Sequence, residues 1–222
     1  SAQFNGVIAA KIMEWFLNFN CISSLDNDLY KNVTFSLSQK DEGKKAILNF
    51  LKMADMGIED FNVIKTKMER KDLPSKLVSS LPEKGDFVRV DIKTKHKKYN
   101  EKGEVIDLVD FDMVKDQSHG TQKFFDLSGS IIDTLFEGKI LFLDELDSRL
   151  HPFLIKAICE LFNSKKLNKQ NAQLIFVSHN TNVLDKDLLR RDQIWFVEKN
   201  KFGASELFSL VEFKDSEDGK KV

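Results

Sequence analysis

Apolar residues recur at helical spacing twice in the first part of the chain. They do so in residues 6–19 and again in residues 42–56, and this spacing predicts two amphipathic helices, the second ending near Gly57. Residues 58–66 predict a strand or an extended link. Residues 69–86 contain two of the three prolines and predict a loop or a short helical excursion.

A two-residue alternation follows. In residues 87–95, Val, Ile and Thr alternate with charged side chains, which predicts a half-buried strand. With a turn at 100–103 and a return strand over 104–113, this segment predicts a β-hairpin.

The last hundred residues alternate between helical patterns and short apolar runs. The predicted order is a helix over 118–137, a strand over 140–143, a helix over 152–162 and a strand over 174–178. Strands that are apolar throughout and separated by helices indicate a parallel sheet covered on both faces. Two final apolar segments, 194–197 and 206–213, predict a closing antiparallel hairpin.

The predicted fold class is therefore α/β. We expect a parallel sheet flanked by helices, a closing antiparallel hairpin, and an N-terminal helical plus β-hairpin region. The predicted division places that region in residues 1–115, the α/β core in 116–213 and a charged tail in 214–222. A chain of 222 residues with 41% hydrophobic and 31% charged residues has the composition of a globular protein with a sizeable core.

Charge and cysteine content exclude several classes of protein. The net charge of −1 provides no global basic field for nucleic acid. The lysine-rich run at 93–102 is a local basic patch or, as we favour, a solvated hairpin tip. The two cysteines, Cys21 and Cys159, predict neither a disulfide scaffold nor a zinc site. We expect a cytoplasmic protein, because we find no secretion signal and no apolar run of membrane-spanning length.

The ILFLDELD segment, residues 140–147, places two carboxylates after a buried strand. Ligands bind at the carboxyl ends of parallel strands. Asp144 is placed to hold Mg²⁺, usually through water, and Glu145 to orient or deprotonate an attacking water. The alternative is an ordinary strand end followed by acidic turn residues.

Two weaker segments carry compatible chemistry. IFVSHN, residues 175–180, ends a second buried strand at His179, which can donate to developing phosphate charge or be an ordinary polar residue. SHGTQK, residues 118–123, places Ser118, Gly120 and Thr121 at a helix start, where backbone N–H groups favour an anion. The alternative for this segment is a serine N-cap without a ligand.

The order and spacing of these three segments resemble the C-terminal half of ABC-type P-loop ATPases. The forms SxGTxK, LDELDxxLHP and SHN, followed by RDQIWFVEKN and SELFSL, look like AAA-type ATPases of prokaryotic abortive-infection and anti-phage systems. That group is related to OLD-family and SMC-type ATPases. The clear resemblance covers residues 117–213, and the earlier part resembles the group's insert more loosely.

The resemblance implies ATP and Mg²⁺ as cofactors and a role for each matching residue. By this resemblance, Asp144 is the Walker B carboxylate and Glu145 is the catalytic glutamate. Asp147 is the D-loop aspartate and His179 is the switch histidine. Ser118 and Gly120 belong to the signature. In that family the signature and the D-loop act across a dimer. The resemblance therefore implies a head-to-tail homodimer, and its ATP-dependent formation would control an effector such as a nuclease or toxin.

No phosphate-binding P-loop of the form G-x-x-x-x-G-K-[ST] occurs in the sequence. The nearest match, at Gly43-Lys44, has Ser38 in place of the first glycine and Lys45 after the lysine, and we reject it. We expect the chain to be a fragment that begins inside the insert, or else a split or degenerate protein. Without a P-loop, residues 1–222 alone should bind ATP weakly and not hydrolyse it.

Two other functions remain as alternatives. A DNA-repair or chromosome-type ATPase of the SMC and RecF kind would clamp DNA, but it predicts long coiled-coil arms, and no sustained heptads occur. A nucleotide-dependent interaction module without turnover is disfavoured because Asp144, Glu145 and His179 are all present.

Overall fold

Five helices and three sheets organise residues 6–23, 27–73 and 85–213, which are the residues that the computed structural model describes. The helices are α1 (Val7–Leu17), α2 (Asn27–Ser38), α3 (Asp41–Met53), α4 (His119–Glu137) and α5 (Pro152–Asn163). The strands are β1 (Phe19–Ser23), β2 (Ile58–Met68), β3 (Phe87–Tyr99), β4 (Val105–Asp112), β5 (Ile140–Asp144), β6 (Gln173–Phe176), β7 (Trp195–Lys199) and β8 (Ser205–Ser209).

Capping residues define both ends of α4 and the start of α5. Ser118 is the N-cap of α4, and its Oγ accepts a hydrogen bond from the Thr121 N–H at 3.1 Å. Gly138 ends α4 in the left-handed conformation, with φ of 65°. His151 caps α5, because its Nδ1 accepts from the Phe153 N–H at 3.3 Å.

A three-stranded parallel sheet in the order β1-β5-β6 confirms the predicted α/β class. Its strand β1 was not predicted. The sequence FNCIS carries little strand periodicity, and Phe19 continues the apolar spacing of the preceding helix. β1 lies in the region predicted for residues 1–115, whereas β5 and β6 lie in the predicted α/β core, so the sheet contains strands from both regions. The division at residue 115 stays a prediction.

The parallel sheet has one buried face and one open face within the described residues. Leu141 and Leu143 of β5 belong to a single buried cluster that also contains apolar side chains of α4 and α5. On the other face, Cys21 is exposed, and Ile175 and Val177 are 46% and 40% exposed. Helices therefore flank the parallel sheet as predicted, and its second face is only partly covered within the described residues.

Helices α2 and α3 pack against α4 and connect the first part of the chain to the core. Thr34 of α2 donates to the Asp126 carbonyl at 2.5 Å and accepts from the Gly129 N–H at 2.9 Å. A Cβ on Gly129 would lie 2.2 Å from the Thr34 Cα, so the helices approach at a glycine. Helix α2 was not predicted, because Thr34 and Ser38 interrupt the apolar pattern on its buried side.

The antiparallel sheet β2-β3-β4 contains the predicted hairpin, and the segment predicted as strand or link forms β2. Three lysines of the basic run form ion pairs with carboxylates on neighbouring strands: Lys93–Asp112 at 3.0 Å, Lys95–Asp110 at 2.8 Å and Lys97–Glu59 at 2.6 Å. These pairs neutralise much of the patch, which agrees with the favoured interpretation of the run.

The remaining segments complete the comparison with the sequence. β7 and β8 form the predicted antiparallel hairpin, and a 3₁₀ turn, Leu210–Glu212, replaces the end of the second predicted segment. In the predicted loop at 69–86, a 3₁₀ turn spans Arg70–Asp72. The rest of that loop from 74 to 84, and the tail at 214–222, lie outside the described residues.

Within the described residues, no helix combines the length and the apolar character needed to cross a bilayer.

Candidate active site

The carboxyl ends of the three parallel strands bring two of the predicted segments side by side. Asp144 ends β5 and lies opposite Ser23, which ends β1. Beyond the ends of β5 and β6, the Val177 N–H donates to the Leu143 carbonyl and the Leu146 N–H to the Val177 carbonyl, both at 3.0 Å. These bonds align the carboxylate pair with the residues that lead to His179.

A tight turn over residues 145–150, called here the carboxylate turn, carries Glu145 and Asp147. It is closed by bonds from the Ser148 N–H to the Glu145 carbonyl at 2.9 Å and from the Leu150 N–H to the Asp147 carbonyl at 3.3 Å. Leu146 and Leu150 are buried and anchor the turn. Glu145 has φ of 50° and Arg149 has φ of 64°. Such left-handed residues cost conformational energy and cluster at functional sites.

The Asp144 carboxylate is open. It is exposed, and among the described residues no Lys, Arg or His nitrogen lies within 4.0 Å of it. The same part of the chain contains no group of three or more His, Cys, Asp or Glu side chains able to enclose a metal. An open carboxylate fits Mg²⁺, which takes one or two protein carboxylates and completes its shell with water and substrate phosphates.

His179 lies beside the carboxylate turn. Its backbone N–H donates to Asp147 Oδ1 at 3.3 Å, and Asp147 is half-buried, whereas His179 is exposed. The following residues form a 3₁₀ turn capped by Asn180, which accepts from the Asn182 N–H at 2.9 Å. The structure therefore places Asp144, Glu145 and Asp147 at the end of β5 and in the turn that follows, and bonds the backbone of His179 to Asp147. The roles of these residues stay predictions.

The start of α4 packs against the same turn. A Cβ on Gly120 would lie 3.1 Å from the Arg149 carbonyl oxygen, so a side chain there would press on the turn. The hydroxyls of Ser118 and Thr121 lie 2.9 Å apart at the helix N-terminus. Ser118 thus acts as the N-cap in this structure, and a contact of Ser118, Gly120 or Thr121 with a nucleotide stays a prediction.

Sequence reasoning missed one residue that joins these two segments. Lys123 on α4 is only 7% exposed, and its Nζ donates to the Ser148 carbonyl of the carboxylate turn. A lysine that falls among buried positions such as Phe124 and Leu127 is the signal that could have identified it.

The rejected phosphate-loop match at Gly43 lies inside a helix. Gly43 belongs to α3 and is buried, and a Cβ there would lie 2.2 Å from the Leu37 carbonyl oxygen. Its glycine serves the close packing of α3 against the end of α2, which agrees with its rejection as a phosphate cradle.

A known sequence family matches residues 11–185, more than half of the chain; it is described as "AAA domain, putative AbiEii toxin, Type IV TA system". No curated protein sequence matches the chain.

Solved structures of SMC proteins are similar in fold. One, described as "Structural biochemistry of ATP-driven dimerization and DNA stimulated activation of SMC ATPases", is 13% identical with a TM-score of 0.47 and aligns over 83% of this chain and 89% of that one. An Smc head bound to the C-terminal winged-helix domain of ScpA is 18% identical with a TM-score of 0.43, over 82% and 49%. The Smc head domain with an extended coiled coil bound to ScpA, from Pyrococcus furiosus, is 15% identical with a TM-score of 0.39, over 76% and 35%. This chain therefore spans about half and about a third of the last two proteins, and these similarities concern the fold alone.

Proposed function

We propose a function from one premise: the chain belongs to the AAA-domain family that matches residues 11–185, a family of P-loop ATPases. The proposed function is Mg²⁺-dependent ATP hydrolysis by the full-length protein at the carboxyl end of β5. Hydrolysis and ATP-driven dimerisation would control an effector, a nuclease or toxin, in abortive infection or phage defence. The toxin named in the family description supports this setting.

The observation that carries the proposal is the open Asp144 carboxylate beside Glu145 at the end of the central strand. Asp110 and Asp112 of the antiparallel sheet have lysine partners. Asp144, by contrast, is solvent-exposed and has no basic side chain within 4.0 Å among the described residues. The sequence places two acidic residues at the carboxyl end of a parallel strand, which is where ligands bind in such sheets.

Each residue then has a chemical task. Asp144 holds Mg²⁺, which when bound would offset the charge that develops on the phosphates. Glu145 orients the attacking water and accepts its proton. His179, which follows the neighbouring strand β6, donates a hydrogen bond to the terminal phosphate.

The second half of the proposal concerns a second copy of the chain. Ser118 is exposed, and Gly120, Thr121 and Asp147 are partly exposed around one junction between α4 and the carboxylate turn. We propose that this junction faces the nucleotide of the second copy, so that two head-to-tail sites form when ATP binds.

The test compares Glu145→Gln with a matched control, Glu160→Gln, in the full-length protein. Glu160 is exposed on α5, away from the carboxyl ends of the strands. We expect Glu145→Gln to lower kcat for ATP by roughly 10²–10⁴-fold, the range for loss of a general base, and Glu160→Gln to leave it unchanged. Light scattering should show that ATP doubles the molar mass of the Glu145→Gln protein, because ATP stays bound.

Three outcomes would count against parts of the proposal. Equal hydrolysis by both variants would exclude Glu145 as the base. A Glu145→Gln protein that stays monomeric with ATP would exclude dimerisation. Glu145-dependent hydrolysis by residues 1–222 alone would contradict the expectation that a P-loop outside this sequence is required.

A further inference from the structure

Lys123 is a buried cation at the junction between α4 and the carboxylate turn. Its side chain is 7% exposed, and the Nζ donates to the main-chain carbonyl of Ser148. Burying an ammonium group is costly, and a methionine would fill similar space without that cost. The position therefore calls for an explanation beyond packing.

The contact joins Lys123 to the residue that closes the turn. The Ser148 N–H donates to the Glu145 carbonyl at 2.9 Å, and the Ser148 carbonyl accepts from Lys123 Nζ. Ser148 therefore connects Lys123 to Glu145 through its own backbone. The backbone of α4 also comes close to the next carbonyl, one helical turn before Lys123. A Cβ on Gly120 would lie 3.1 Å from the Arg149 carbonyl oxygen. One carbonyl of the turn thus accepts a hydrogen bond from α4, and the next lies close to the helix backbone at Gly120.

The surrounding charges favour a role in the electrostatics of the turn as well. Burial lowers the pKa of Lys123, and the Arg149 guanidinium lowers it further, whereas Asp147 and Glu145 raise it. The ammonium therefore lies in the field of the two carboxylates that the proposed function assigns to the site. A left-handed residue such as Glu145 needs such support, because the surrounding structure must hold it in that conformation.

We infer that Lys123 is a positioning residue that fixes the carboxylate turn, and with it Glu145 and Asp147, to the start of α4. The inference rests on the proposed function, since the reaction it serves is the hydrolysis assigned to Glu145. It also provides a mechanical connection: a nucleotide contact at Ser118 or Gly120 would reach Glu145 through Lys123 and Ser148. Lys123 itself need not touch the nucleotide.

The experiment measures kcat, KM for ATP and melting temperature of the full-length protein for Lys123→Met, Lys123→Arg and the control Lys156→Met. Lys156 is an exposed lysine of α5 that pairs with Asp185 at 3.5 Å. We expect Lys123→Met to fold with a melting temperature near that of the wild type and to lose roughly 10–100-fold in kcat, the scale of a small misplacement of a catalytic group. KM should change by less than about threefold, because the turn supplies little ground-state binding.

The conservative variant separates positioning from simple stability. Lys123→Arg keeps a charged donor and should retain more kcat than Lys123→Met, and Lys156→Met should match the wild type. If Lys123→Met does not fold, Lys123→Gln replaces it. The Gln side chain is too short to replace the full reach of lysine, and it should show the same selective loss of kcat.

The possible results divide cleanly. A folded Lys123→Met or Lys123→Gln protein with wild-type kcat overturns the inference and leaves the proposed function intact. A loss of kcat that only follows the loss of folded protein, without rescue by Arg, overturns it too. A wild-type protein whose ATP hydrolysis does not depend on Glu145 overturns the proposed function, and this inference with it.

Discussion

The antiparallel sheet and the end of the parallel sheet use aspartates in opposite ways. On β4, Asp110 and Asp112 pair with lysines of β3 at 2.8 Å and 3.0 Å. At the end of β5, Asp144 is exposed and, among the residues that the structure describes, has no basic side chain within 4.0 Å. The two regions have similar strand sequences, with acidic residues next to apolar ones, yet only one satisfies its charges internally.

This difference distinguishes carboxylates that stabilise the fold from a carboxylate that is open to a ligand. The β3–β4 ion pairs join neighbouring strands and give the hairpin a charged but neutralised outer face. A carboxylate at a parallel strand end without a cation is available to a ligand that brings its own positive charge. The position of a carboxylate in the sheet, and the absence of a neighbouring lysine, thus indicate its task better than its residue type.

The largest expected effect follows from replacing one aspartate in each region. In the full-length protein, Asp144→Asn should lower Mg²⁺-dependent ATP hydrolysis by roughly 10²-fold or more, because loss of the anionic ligand weakens the metal site. Asp110→Asn removes an exposed ion pair and should change the rate less than about twofold. Steady-state kinetics at saturating Mg²⁺ provide the measurement. Similar losses in both variants would remove the distinction between the two regions.

A smaller effect concerns the acid stability of the antiparallel sheet. The hydrogen bond from Lys93, with those from the Lys115 and Val114 N–H groups, lowers the pKa of Asp112 from 3.8 to about 2. A lowered carboxyl pKa stabilises the fold above the unfolded value, and this contribution is lost as the pH falls from 3.8 to about 2. Asp112→Asn should therefore lower the melting temperature slightly at neutral pH and flatten its decline across that acid range. An unchanged acid profile, recorded by circular dichroism, would contradict this account.

The smallest effect lies where the antiparallel sheet meets α4. His96 Nε2 lies 2.8 Å from Gln117 Nε2 and 3.1 Å from Thr94 Oγ1, and Gln117 precedes the cap of α4. Burial lowers the pKa of His96 below 6.5, opposed by a backbone hydrogen bond with Gly57. Between the folded pKa and 6.5 the unfolded chain binds more protons, so stability should rise with pH up to about 6.5 and then level off.

His96→Gln removes this titration and keeps a polar side chain. The gain in unfolding free energy between about pH 5 and about pH 7.5 should be smaller in His96→Gln than in the wild type. Urea denaturation at both pH values measures the difference. An equal gain in the two proteins would exclude His96 as its source.

Local sequence signals were sufficient for the elements that surround the site. Continuous apolar runs predicted β5 and the start of β6, and Ser118 and Gly138 predicted both ends of α4, because these signals act within a few residues. The carboxyl-end rule for parallel strands then placed Asp144 and Glu145 correctly relative to the sheet.

Features that depend on long-range contacts were not predictable from these patterns. β1 pairs with a strand about 120 residues later, and its five residues carry no periodicity that identifies a parallel partner. The bond between Lys123 and Ser148 and the left-handed backbone of Glu145 depend on how α4 meets the carboxylate turn. The local spacing of charged residues does not indicate that α4 packs against this turn.

The central claim, that the open Asp144 holds the metal of an ATPase site, is tested most directly by spectroscopy. Mn²⁺ replaces Mg²⁺ in the full-length Glu145→Gln protein with ATP, and electron paramagnetic resonance counts the bound Mn²⁺ with and without Asp144→Asn. The account predicts ATP-dependent Mn²⁺ binding that Asp144→Asn weakens by at least about tenfold, while Asp110→Asn leaves it unchanged. Equal Mn²⁺ binding by the Asp144→Asn protein would contradict it.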